Sequence, residues 1–283
     1  MEYGWGRDHP ILWRSSELLQ GLLWEDPSIE LRELKGYCAG DPAVETHLRH
    51  HLSRVALALL LRSGLVDDVG IERKTAERLG ELESFYTGGE HERIYVGEHL
   101  RQRDTDDGPV DEVCAVISPD APLPDQWLLL FFAHNPKLRA DARARAILGR
   151  VIDYMFSHPH PEHEVLVVGG KIFEREQEFS IRNLGRADYE RERLLGRLLQ
   201  ELELLARAGV LESIPKAVEL LEWVISLQDE EGVVRGEDFI EKHNARLDYP
   251  YFPLEDNWRG KHKKFTDLTF RLFLILAILD GIV

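Results

Sequence analysis

At 283 residues the chain is long enough for one large domain or two small ones, and 43% hydrophobic residues suffice for a sizeable core. A net charge of −16 opposes a phosphate backbone and excludes nucleic acid as a general partner. Two cysteines, Cys38 and Cys114, form no disulfide framework and suit a reducing cytoplasm. No apolar run is long enough for an integral membrane segment, and MEYGWGRDHP lacks the basic-then-apolar pattern of a signal peptide.

Most apolar patterning has helical spacing. Trp13–Leu23 predicts a helix within a less regular N-terminal part, 1–50. LLRSGL ends a second helix at Gly64, and Lys74–Phe85 forms the next. Ile94–Val96 and Val165–Val168 read as loop or hairpin pieces rather than as parts of a sheet. FFAHN places Asn135 at the cap position that glycine holds elsewhere, and Arg145–Phe156 follows as a helix. YERERLLGRLLQELELLARAG carries leucines at i, i+3 and i+4 steps, with its charges on the other face, and ends at Gly209. Lys216–Leu227 is the next helix, and LAILDGI closes the chain at Gly281. The four caps fall about 70 residues apart, which predicts stacked helix hairpins in a single all-α domain over 1–283.

KAVELLEWVISLQDEEGVV resembles the QW repeat of squalene–hopene cyclases and of protein prenyltransferase β subunits. Lys216, Ala217, Trp223, Val224, Ile225, Gln228 and Gly232 sit on that pattern, and Val234 stands where the final Trp belongs. KKFTDLTFRLFLILAIL, preceded by Trp258, is similar to the terminal helix of bacterial members. The resemblance implies an α/α toroid, or an open horseshoe, around a central cavity. It also implies that Gln228 caps backbone groups at the end of an outer helix.

Three sets of residues carry candidate chemistry. DTDDG matches the DxDD motif of class II terpene cyclases, which implies Asp106 as a general acid; its charged setting before Gly-Pro equally suits a solvated loop. His158, His160 and His163 in SHPHPEHE could hold zinc, as could Asp111 with Cys114, although prolines also make the histidine stretch a plain polar loop. Inner-helix N-termini in a toroid would bring His50, His51, Arg54, Asp125, Trp127, Asp188, Tyr189, Arg193, Asp267 and Arg271 to one cavity, with Trp258 in a segment that either covers it as a lid or simply packs across the last two helices. Asp125, Asp188 and Thr266 serve as helix caps on the simpler reading.

Three functions follow as expectations: binding of an apolar or isoprenoid-like small molecule, with or without catalysis; a non-catalytic helical scaffold for protein contact; or sugar chemistry on paired carboxylates such as Asp125 and Asp267.

Overall fold

The structure is a computed structural model that describes residues 10–29, 40–64, 68–88, 94–105, 108–119, 121–122, 124–157, 161, 163–174, 179–239 and 263–282. The chain divides into two compact units, Met1–Glu178 and Phe179–Val283.

In the first unit α1 (Pro10–Leu23) packs on α2 (Pro42–Arg62), and α2 packs on α4 (Gln126–Ala133). Helix α3 (Val69–Thr87) packs on α6 (Ala142–Ser157), and the short α5 (Pro136–Ala140) joins α4 to α6. Asp41 starts α2 by accepting from the Ala43 and Val44 amides at 2.9 and 3.3 Å, with Pro42 supplying a preset first turn. Asp68 starts α3 through the Ile71 amide at 3.0 Å. Leu60, Leu61, Leu82, Leu129, Leu130 and Met155 are fully buried between these helices.

The expectation of an all-α toroid or horseshoe is overturned here. The first unit contains a four-stranded mixed sheet, so the fold is mixed α/β. Its order is β1 (Tyr95–Thr105), β2 (Gly108–Ile117), β3 (Glu164–Val168) and β4 (Lys171–Glu174). Strands β1 and β2 form an antiparallel hairpin, β2 and β3 run parallel across the α4–α6 connection, and β3 and β4 form a second hairpin. Gly169 and Gly170, with φ of +56° and +74°, make the turn of that second hairpin. Val168, Leu166 and Phe173 pack under Val44 and Leu48 of α2. Both segments read as loop pieces are therefore strands. Their signal was weak because β1 carries few apolar residues among its charges, and the apolar run of β3, EVLVV, is too short to tell a strand from a loop piece.

Only Ala115–Ile117 of β2 pair with β3. The hairpin from His99 to Cys114 thus extends past the rest of the sheet as a two-stranded ribbon, and among the described residues no third strand joins it.

In the second unit α7 (Ser180–Asn183), α8 (Arg186–Glu192), α9 (Leu195–Arg207), α10 (Pro215–Ser226) and α11 (Lys263–Leu279) are the described helices, with α9 against α11. Helix α9 is buried almost all round. Its charges do not form a solvent face: Glu201 and Glu203 are 4% and 7% exposed. Helix α10 ends as the glutamine suggested. Gln228 Nε2 donates to the Gly232 carbonyl at 3.0 Å, Gly232 has φ +78°, and Gln228 bridges to Val234. Val234 is fully buried, and its amide donates to Thr269 Oγ1 on α11 at 3.0 Å.

Gly64, Gly209 and Gly281 all have positive φ, as helix-ending residues. Asn135 does not share that role. Its φ is −107°, and its side chain accepts from the Lys137 and Leu138 amides to start α5. Pro136 explains the difference, because a residue before proline is steered to extended backbone and proline favours a first helical turn. No helix among the described residues is long and apolar enough to cross a membrane.

Candidate functional site

Four of the expected site residues converge in the first unit. His51 and Arg54 on α2, and Asp125 and Trp127 at the start of α4, line a cleft that Arg78 of α3 and Phe131 of α4 complete. The cleft has a cavity volume of about 20 Å³, room for roughly one water molecule. An isoprenoid or a sugar ring needs far more. Asp125 Oδ1 accepts from the Leu128 amide at 2.6 Å, and Arg78 Nη1 lies 2.8 Å from Glu81 Oε2. His50 is drawn elsewhere, with Nδ1 3.3 Å from Glu25 Oε1. Burial above all holds the His51 imidazole below its ordinary value. The Asp125 carboxylate pulls the other way, and Arg54 and His50 add to the lowering.

Asp188, Tyr189, Arg193, Asp267 and Arg271 lie in the second unit, and each has a structural task. Asp188 accepts from the Gly185 amide at 2.9 Å and meets Arg191 Nη2 at 2.8 Å. Those two contacts, in that order, hold its carboxyl below the usual carboxylate range. Tyr189 is fully buried, its hydroxyl 2.8 Å from Ser180 Oγ. Burial pushes that phenol up, and the Glu201 carboxylate adds to the shift. Arg193 ends α8 in the left-handed region, with φ +58°. Asp267 is fully buried, 3.9 Å from Arg271 Nε; Arg271 Nη1 in turn reaches Glu203 Oε2 at 2.6 Å, and Arg207 Nε reaches Glu203 Oε1 at 2.8 Å.

The sequence reading missed Glu201. Its Oε1 accepts from the Ser180 amide, Ser180 Oγ and Arg197 Nε at 2.8, 2.7 and 3.1 Å, and its Oε2 accepts from the Ile181 amide at 2.8 Å. The spacing of Arg197 with Glu201, and of Glu203 with Arg207, is the i,i+4 signal that marks both acids as paired.

Asp106, His158, His160 and Trp258 lie outside the described residues. The positions flanking Asp106 and Asp107 close the β1–β2 hairpin, with Thr105 paired to Gly108. His163 Nε2 is 2.8 Å from Glu112 Oε1, and Glu112 also takes Arg101. Asp111 and Cys114 stand three residues apart on β2, so strand alternation sends them to opposite faces and they do not share a metal. Among the described residues no three of His, Cys, Asp and Glu converge as metal ligands would.

The open face of the ribbon has a different character. Leu100 and Val113 are direct cross-strand partners, 62% and 58% exposed. The opposite face is half-buried around His99, Arg101 and Glu112, with Cys114 fully buried.

Comparison with protein-family models, with curated proteins and with solved structures gives no match.

Proposed function

We propose that this chain is a non-catalytic protein-interaction protein of the cytoplasm, and that the β1–β2 ribbon is its contact surface. The observation that carries the reading is the Leu100–Val113 pair, displayed on a ribbon that extends past the rest of the sheet. Leucine and valine facing water side by side carry an unfavourable hydration cost that burial against a partner's apolar surface would remove. The candidate cavity residues support the same reading. Asp125 and Asp188 hold helix starts, Asp267 and Arg271 belong to a buried ion network, and the cleft at His51 has no room for an apolar body.

The test places a photo-crosslinking phenylalanine analogue at position 100 in cells that express the chain, with the same label at the exposed Glu230 as a control. The expected result is a discrete adduct at position 100, with a partner segment readable by mass spectrometry, that disappears when Val113→Asp is added. Adducts no stronger than at position 230, or insensitive to Val113→Asp, contradict the reading.

A further inference from the structure

Charge on the ribbon is sorted by face. Strand alternation and the register put Glu98, Leu100 and Gln102 of β1 beside Ala115, Val113 and Asp111 of β2 on the open face. Glu98 and Asp111 are both exposed, and among the described residues neither has an ion-pair partner. They sit on opposite sides of the Leu100–Val113 pair along the ribbon. The other face holds the Arg101 side chain. There Arg101 and His163 meet Glu112. The open face presents an apolar centre with an exposed carboxylate at each end, unpaired among the described residues, on a chain whose net charge is −16.

We infer that the ribbon takes an extended protein segment of the pattern basic–x–apolar–x–basic. The inference rests on the interaction reading above and names the partner's chemistry. Glu98 and the Gln102–Asp111 pair are four residues apart along β1, about 13 Å at the rise of a strand. An extended segment has the same rise, and its residues i, i+2 and i+4 face one way. Its central apolar side chain then covers Leu100 and Val113 while the two basic side chains reach Glu98 and Asp111. An acidic segment meets two carboxylates and the field of the whole molecule, which slows its encounter and weakens its hold.

The experiment is an amide NMR titration of the full isotope-labelled chain with three peptides: TKTVTKT, TETVTET and TKTSTKT. The expected result is a saturable shift at residues 98–102 and 111–115 with TKTVTKT. Binding of each of the other two is at least five-fold weaker, and the TKTVTKT affinity falls as salt rises. The double variant Glu98→Lys/Asp111→Lys reverses the preference toward TETVTET and, because both sites are exposed, keeps the spectrum of the rest of the chain. Equal ribbon shifts with TKTVTKT and TETVTET overturn the charge pattern while leaving the interaction surface standing. Ribbon silence toward all three, in a chain that still forms the position-100 adduct, overturns the partner class alone. Loss of that adduct overturns the interaction reading itself.

Discussion

Replacing Glu201 by alanine tests the most demanding piece of packing in the second unit. The Glu201 carboxylate is 4% exposed and accepts four hydrogen bonds at 3.1 Å or less, including the first two amides of α7. Ser180 and Ile181, which supply three of those donors, are 1% and 0% exposed, so water does not replace the lost acceptor without rearrangement. A buried donor left without a partner costs about 1–3 kcal/mol. Two orphaned amides, with the Ser180 hydroxyl turning to Tyr189 at 2.8 Å, give a loss of about 3–5 kcal/mol. The Arg197 bond adds little, because that side chain is partly exposed and turns to solvent. Glu201→Gln keeps one carbonyl acceptor but points an amide donor at an amide donor, for a loss of about 1–2 kcal/mol. Urea unfolding followed by circular dichroism and Trp fluorescence reads both variants. At about 2 kcal/mol per molar, the alanine midpoint falls by roughly 2 M. An alanine variant within 1 kcal/mol of the parent refutes the view that Glu201 holds α7 on α9.

His51 gives a pH prediction. Its folded-state value is lowered, so the unfolded chain binds the proton first as pH falls below about 6.5, and stability declines from there downward. His51→Gln flattens the unfolding midpoint between pH 7 and 5. The decline that comes from Asp188 and Asp229, whose values are also lowered but from the carboxylate range, begins only below about pH 4 and survives in the variant. Arg271→Met leaves Glu203 and Asp267 buried with one cation fewer and costs about 3 kcal/mol by urea unfolding. The β3–β4 turn separates two glycine effects. At Gly170 nothing lies within 4 Å of an added Cβ, so Gly170→Ala costs only the left-handed backbone, about 1 kcal/mol. At Gly169 the Cβ falls 2.3 Å from Asp41 Oδ2 and displaces the α2 cap as well, for about 2 kcal/mol or more, read by thermal unfolding.

Helix ends were the most legible part of the sequence, because they depend on single residues with special backbone or capping chemistry. Gly64, Gly209 and Gly281 turn the chain where expected, and the Gln228–Gly232 loop closes as its residues suggest. Asn135 misled for an equally local reason, the proline that follows it. The sheet was hidden because β1 is mostly polar, and the apolar runs that end β2 and fill β3 are too short to be told from other buried segments by period alone. The buried acids of α9 were hidden because a period in sequence shows which residues share a face, not how many neighbours surround the helix. Glu201 and Glu203 look solvent-facing until α7 and α11 bring amides and Arg271 against them. Of the expected cavity residues, His51, Arg54, Asp125 and Trp127 do meet, around a space far smaller than a toroid cavity.

On this reading Leu100 and Val113 are displayed for a partner and not for the fold. The direct measurement is the urea unfolding free energy of Leu100→Ser/Val113→Ser beside the parent chain. Partly exposed cross-strand pairs contribute about 0.2–1 kcal/mol, so the expected loss is below about 1 kcal/mol with the circular dichroism spectrum unchanged. A loss of 2 kcal/mol or more would mean that the pair is part of the protein's own core, and the ribbon would no longer stand as a surface kept free for another protein.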